Sequence, residues 1–190
     1  MSDSRIPLLS SEAASAAASE VSLPDALAQL NIFRVLLHDP KVAKGVGDLL
    51  LTMLFGGQLE ARLRELVIMR IGWSTGSNYE WTQHWRIALE LGVPEADLLA
   101  VRDWPDHAAF SEADRVALQA TDEMLENGVV SPETWARIEA ALPGPAECIE
   151  LLLAIGLWHL VSQFLRSVQI PLEEGVASWP PDGRVPPAAS

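Results

Sequence analysis

The stretch that decides the fold runs Gly72-Trp73-Ser74-Thr75-Gly76, then Ser77-Asn78-Tyr79-Glu80-Trp81-Thr82-Gln83-His84-Trp85-Arg86, with Glu65 twelve positions before Ser77. A glycine-bounded break separates two segments of helical pattern. In the second, Ser77, Glu80 and His84 fall within roughly 60° of arc at about 100° per residue. A carboxylate and an imidazole would share one stripe. The same segment carries Tyr79, Trp81, Trp85, Ile87 and Leu91, so its polar groups sit in mostly apolar surroundings, where proton affinities move. Ser77-x-x-Glu80 also matches a capping box, and a glutamate four residues before a histidine is ordinary helix electrostatics. Local pattern alone leaves capping and chemistry equally open.

Working outward, the pattern stays helical. Ser22-Leu23-Pro24-Asp25 opens a segment with Leu27, Leu30, Phe33, Leu36 and Leu37 at three-to-four spacing, which predicts one amphipathic helix up to Pro40. A second runs from Lys41 to Gly56-Gly57, a third over about 60–73, and a fourth from Ser77 to Gly92. A short helix follows Pro94 and closes at Trp104-Pro105-Asp106. Ser111 and Ser131-Pro132 cap two more, and a long apolar helix covers about 146–168. No segment alternates with period two between hairpin turns, so the chain reads as all-α, with about seven to eight helices in a single domain spanning 21–170. Residues 1–20, rich in Ser, Ala and Glu, read as a disordered or loosely docked arm. From Pro171 to Ser190, prolines and glycines favour an extended arm.

Composition narrows the function. The chain has 190 residues, a formal charge of -13 and only 13 Lys plus Arg, which disfavours phosphate-backbone binding, and no nucleic-acid partner is expected. One cysteine, Cys148, excludes an intramolecular disulfide, a Cys-x-x-Cys pair and a thiolate metal cluster. Residues 1–20 lack the basic start and apolar core of a signal segment, which predicts a cytoplasmic protein. The apolar run 151–161 is shorter than a bilayer span and contains His159, so no membrane partner is expected. With 49% hydrophobic residues, homo-oligomerisation is expected. Between Glu60 and Leu91, Arg62, Arg64, Arg70 and Arg86 balance Glu60, Glu65, Glu80 and Glu90. This neutral segment would suit a small carboxylate substrate in an otherwise repulsive chain, with Arg62 and Arg64 read as solvated pairs.

Arg64-Glu65-Leu66-Val67-Ile68, followed by Ser77-x-Tyr79-Glu80-Trp81-x-x-His84, resembles the carboxymuconolactone decarboxylase family, which includes alkylhydroperoxidase D. Asn31-Ile32-Phe33-Arg34, Phe110-Ser111, Val130-Ser131-Pro132-Glu133-Thr134-Trp135 and Ile170-Pro171-Leu172 extend the resemblance over the central part of the chain. It implies an alkylhydroperoxidase D-like helical bundle and self-association as a homotrimer or homohexamer. The peroxidase branch carries Glu, then Cys-x-x-Cys-x-x-x-His, which places its glutamate at Glu65 and its histidine at His84. Ser77 and Glu80 stand where its cysteines would be, and a serine hydroxyl cannot cycle through sulfenate and disulfide. The decarboxylase branch, which lacks the cysteines and keeps Glu80-x-x-x-His84, is the better match.

The implied chemistry is proton transfer without a cofactor on a small acidic or lactone substrate: an enolate needs a charge stabiliser and a proton donor. His84 is the expected general acid/base, with Glu80 or Glu65 orienting it and Ser77 as a hydroxyl donor beside the helix N-terminus. A glutamate raised by burial could exchange the proton itself. Arg70 is expected to hold the substrate carboxylate, Tyr79 and Trp81 to line the site, and His159 to contribute as a secondary candidate whose plainer reading is a core histidine. One histidine with Glu65 and Glu80 is a poor metal set, and no metal is expected.

Overall fold

In the computed structural model, residues 4–178 are described together with Asp182, Arg184 and Pro186. Among them there are ten α-helices and no strand, as the periodicity predicts. The chain packs as two compact units, Met1–Gly56 with Phe164–Ala177, and Gly57–Gln163 with Ser178–Ser190.

In the first unit, Ser11–Glu20 forms α1, capped by Ser10 Oγ, which accepts from Ala13 N–H at 3.1 Å. Ala14 and Ala18 are fully buried. The expected loose arm is therefore, over these residues, a helix: two alanines four apart give it a small apolar stripe that can approach its neighbours closely. The single helix expected after Pro24 is two short ones, α2 (Asp25–Ala28) and α3 (Asn31–Leu36). The backbone turns extended at Leu30. The Asn31 N–H donates to Glu173, and its side-chain amide donates to the carbonyls of Pro171 and Leu172. These long-range hydrogen bonds replace the helical ones that an unbroken segment would make. Asp39 caps α4 (Pro40–Leu51), which passes into a π turn over Thr52–Gly56. A Cβ at Gly47 would meet Leu23 Cδ1 at 2.5 Å, so any larger residue there would force the Leu23 side chain to move.

The second unit is built around α5 (Ala61–Thr75), whose residues from Leu63 to Ile68 are all buried. It is followed by α6 (Asn78–Glu90), α7 (Glu95–Ala100), a 3-10 turn (Val101–Asp106), α8 (Glu112–Asn127), α9 (Pro132–Ala141) and α10 (Pro145–Val168), which belongs here up to Gln163. Leu66, Met69, Trp73, Trp81, Trp85 and Trp104 share its core. Because α5 is enclosed, its charged residues are internally paired, not solvated as expected. Arg62 bridges Asp97 at 2.7 Å and Asp114 at 2.6 Å, and buried Arg64 meets Glu65 at 3.2 Å. Burial pushes the Asp97 carboxyl up, but hydrogen bonds from Arg62 and His107 outweigh it and hold Asp97 below the usual range. Ser111 and Asp114 form a capping box at the head of α8, and Ser131 caps α9.

α10 is longer than its apolar run suggested: 24 residues, long and apolar enough to cross a membrane by length and composition. Half of its apolar window is buried, and Leu151, Ala154, Ile155 and Trp158 are among its fully enclosed residues. A helix buried on one side within its own fold serves as a core helix. At the C-terminal end, the expected extended arm is described at 171–178, Asp182, Arg184 and Pro186, none of them in a helix or strand. Pro180, Pro181, Gly183 and Pro187 lie outside the described residues.

Candidate active site

The break between α5 and α6 sets the geometry. Gly76 adopts φ 70°, the left-handed conformation that ends helices, and its N–H and that of Ser77 return to the carbonyls of Trp73 and Gly72. A Cβ at Gly72 would lie 3.2 Å from the Trp81 backbone nitrogen, so glycine lets α6 fold back tightly onto α5. Ser77 occupies the N-cap of α6, yet its side chain makes no capping hydrogen bond. The capping box that Ser77-x-x-Glu80 predicts does not form, because Glu80 turns into the protein.

There the Glu80 carboxyl is 2% exposed and Ser77 is 1% exposed. Glu80 Oε2 accepts a short hydrogen bond from the Ser162 hydroxyl of α10. Among the described residues, Glu80 Oε1 and Ser77 Oγ have no hydrogen-bond partner. Two orphaned polar atoms in a dry setting are costly, which is the signature of a site with work to do. Among the described residues no cation pairs with Glu80, and burial pushes its carboxyl well above the ordinary range. Burial thus favours the neutral acid form of Glu80 over its carboxylate.

His84, one turn further along α6, is bonded through both ring nitrogens. Nδ1–H donates to Glu65 Oε2 at 2.7 Å, and Nε2 accepts from the Trp158 indole N–H at 3.0 Å. Glu65 Oε1 takes the Arg64 guanidinium. The tautomer is fixed by its partners: an indole can only donate, so Nε2 must accept and Nδ1 carries the hydrogen. Of the two glutamates expected to orient His84, Glu65 does so and Glu80 does not. Since Trp158 and Ser162 are four apart on α10, just as Glu80 and His84 are on α6, the two helices form a ladder of two rungs, Glu80 to Ser162 and His84 to Trp158. Successive rungs on both helices are one turn apart, which is why two rungs fit.

Beside Ser77 lies a small pocket of about 50 Å³ lined by Gly72, Trp73, Gly76, Ser77, Asn78, Trp81 and Pro186. Trp73 and Trp81 are its aromatic walls, with ring centroids 5.3 Å apart. Tyr79 is buried on the same turn but does not line the pocket.

Two expected residues are placed elsewhere. Arg70 is not offered to a ligand: it grips Asp122 through Nε at 2.6 Å and Nη2 at 3.0 Å, and its Nη1 donates to the carbonyls of Val101 and Arg102. It ties α5 to α8 and the 3-10 turn. His159 is half-buried, bonded to Gln163 on its own helix, and joins neither rung. Its neighbour Trp158 enters the site instead. Ser162 was not singled out by sequence reasoning, although its four-residue spacing from Trp158 mirrors Glu80 and His84. Among the described residues, no three His, Cys, Asp or Glu side chains gather as a metal site. Cys148 is buried, and its thiol is pushed up by burial and by Glu139 and Glu147, which disfavours a reactive thiolate.

Residues 40–123 match the model of the Carboxymuconolactone decarboxylase family. No curated protein matches the chain by sequence. Among solved structures, it is similar to an uncharacterized peroxidase-related protein with an alkylhydroperoxidase AhpD core from Ralstonia eutropha JMP134, at 13% identity and TM-score 0.72, over 90% of this chain and 93% of that one. The debrominase Bmp8, in complex with 2,3,4-tribromopyrrole, is similar at 17% identity and TM-score 0.71, over 90% and 95%. A protein of unknown function from Agrobacterium tumefaciens is similar at 19% identity and TM-score 0.64, over 72% and 94%. At these identities the likeness shows a shared fold.

Proposed function

We propose that this chain, whose residues 40–123 match the model of the carboxymuconolactone decarboxylase family, is a cofactor-free acid–base enzyme, a lyase or isomerase acting on a small carboxylated lactone or β-dicarbonyl compound through an enolate. The observation that supports this reading is the Glu80 carboxyl, buried with one oxygen unpartnered and, among the described residues, without a cation, three positions along α6 from Ser77, whose buried hydroxyl is also unpartnered.

The chemistry follows from that pair. In decarboxylation the bond to the carboxylate carbon breaks, CO2 leaves, and the electron pair stays on the substrate as an enolate. Ser77, at the head of α6, donates to the developing oxyanion, supported by the helix N-terminus. Glu80 gives its proton to the carbon and is reprotonated from solvent. A neutral carboxylic acid in a dry site is a competent donor at ordinary pH.

His84 then has a different role from the one its residue type suggests. With Nδ1–H on Glu65 and Nε2 on Trp158, both nitrogens are occupied within the protein. A second proton, on Nε2, would face the indole N–H. His84 positions α6 against α10 and so fixes the carboxyl one turn away, while Glu80 moves the proton.

The same reading keeps a cytoplasmic homo-oligomer. Ile149, Leu153 and Leu160 are exposed at spacings of four and seven on α10, an apolar stripe suited to a second copy of the chain.

The test is turnover on a panel of carboxylated lactones and β-keto acids by wild type and Glu80→Gln, which keeps shape and removes the acid. Loss of turnover of at least about 100-fold is expected, in a variant whose thermal midpoint is no lower than that of wild type. Unimpaired turnover in Glu80→Gln would end this reading.

A further inference from the structure

Ser162 is fully buried on α10, one turn beyond Trp158 and next to the buried Val161. A hydroxyl in such surroundings has to place its hydrogen on an acceptor. Within a helix the usual acceptor is the carbonyl four residues back, and Thr75 and Thr121 use it, donating to Ile71 and Ala117 at 2.8 Å. Ser162 does not. Among the described residues its only hydrogen bond is to Glu80 Oε2. The other carboxyl oxygen, Oε1, has no partner among the same residues.

We propose that Ser162 is a positioning residue for the Glu80 acid: its hydroxyl, donating to Oε2, keeps the transferable proton on Oε1 and stabilises the carboxylate that remains once that proton has gone. The inference rests on reading Glu80 as the proton donor.

Donor and acceptor roles carry the first half. A neutral carboxyl has one oxygen that only accepts and one that bears the proton. The Ser162 hydrogen has no other acceptor among the described residues, so Oε2 is the oxygen that accepts, and the proton is left on Oε1. Were the roles reversed, with Oε2–H donating to Ser162, the proton would be tied up between α6 and α10 and the serine hydrogen would be orphaned.

Electrostatics carries the second half. When Oε1–H gives its proton to the substrate carbon, the electron pair of the broken bond stays on the carboxyl, and a full charge appears in a dry site. A hydrogen bond to a charged group is roughly twice as strong as a neutral one, so the Ser162 contact strengthens as the charge forms. It opposes burial and leaves Glu80 a stronger acid than burial alone would make it. Among the described residues no cation does this instead. His84 of α6 and Arg64 of α5 bond to Glu65, Asp97 of α7 to Arg62 and His107, and His159 of α10 to Gln163, while Arg86 and Glu90 of α6 are exposed.

The test is an infrared titration of Glu80 in full-length, substrate-free wild type, Ser162→Ala and Ser162→Cys, each taken as the difference from its own Glu80→Gln counterpart. Loss of the donor in Ser162→Ala is expected to move the carboxylic C=O stretch to higher frequency and to raise the midpoint of ionisation by about one pH unit, the ten-fold change that one hydrogen bond to a charged group supports. Ser162→Cys, close to serine in size and a weaker donor, is expected to fall between the two. A serine that only fills space would change the thermal midpoint and leave both readings where they are. An unchanged stretch, or an ionisation midpoint within about 0.3 unit of wild type, in either folded variant overturns the proposal. Both readings are made without substrate, so an active Glu80→Gln enzyme would reject the proposed chemistry and leave a shifted titration standing. An unshifted titration would remove Ser162 from the support of Glu80 and leave the acid itself in place.

Discussion

Trp158 Nε1–H donates to His84 Nε2 at 3.0 Å, while His84 Nδ1–H donates to Glu65 at 2.7 Å. The imidazole is clamped between an obligate donor and a carboxylate, and one hydrogen-bonding pattern satisfies both. Replacing Trp158 by Phe leaves Nε2 buried without a donor, at a cost of about 1–3 kcal/mol. Nitrogen-15 spectra of labelled histidine are expected to show the Nδ1–H tautomer for His84 in wild type and a changed Nε2 signal in Trp158→Phe. An Nε2–H tautomer in wild type contradicts the assignment.

Arg70 is a structural residue. Arg70→Ala should lower stability by about 2 kcal/mol, because Asp122 loses a two-pronged partner and keeps only the Trp104 indole. Turnover at moderate temperature should be unchanged. A stable Arg70→Ala variant with impaired turnover would restore Arg70 as a substrate-binding residue.

Ser77 separates capping from chemistry. A serine that caps costs about 1 kcal/mol when replaced by Ala. Ser77 makes no such bond, so Ser77→Ala should shift denaturant stability by less than about 0.5 kcal/mol, yet reduce turnover by about 10- to 100-fold through the lost oxyanion donor. A clear loss of stability with full turnover would identify an ordinary cap.

The raised Glu80 carboxyl has a defined signature in stability against pH. An unfolded glutamate titrates near 4.5, and the folded Glu80 titrates well above that. Below the unfolded value both states are protonated and the contribution is fully present. As pH rises past it, the unfolded chain loses a proton that the folded chain retains, so stability falls until the folded carboxyl itself ionises. Denaturant midpoints of wild type should therefore decline relative to Glu80→Gln as pH climbs from the ordinary carboxylate range. Parallel profiles would mean that Glu80 is not held as the acid.

Much of the frame was legible in the sequence. Three-to-four spacing gave the all-α class, serines at 111 and 131 marked two helix starts, and Gly76-Ser77 marked the turn that sets the site. What the pattern could not show was tertiary. A continuous apolar stripe over 24–37 hid the break at Leu30, because the hydrogen bonds that favour it come from Pro171, Leu172 and Glu173. Arg62, Arg64 and Arg70 have the spacing of solvated helix charges, but their carboxylate partners include Asp97, Asp114 and Asp122 on other helices. Ser77, Glu80 and His84 share one helical stripe in the pattern, but which groups Glu80 and His84 bond to depends on α5 and α10. Trp158 satisfies the histidine and leaves the carboxyl as the group with capacity to spare.

The central claim is that Glu80 carries a proton at neutral pH inside the folded protein. Infrared spectroscopy of wild type minus Glu80→Gln at pH 7 measures this without a substrate. A protonated carboxylic C=O stretch present in wild type and absent from the variant is the predicted result. A difference spectrum showing only the carboxylate bands of an ionised glutamate would contradict it.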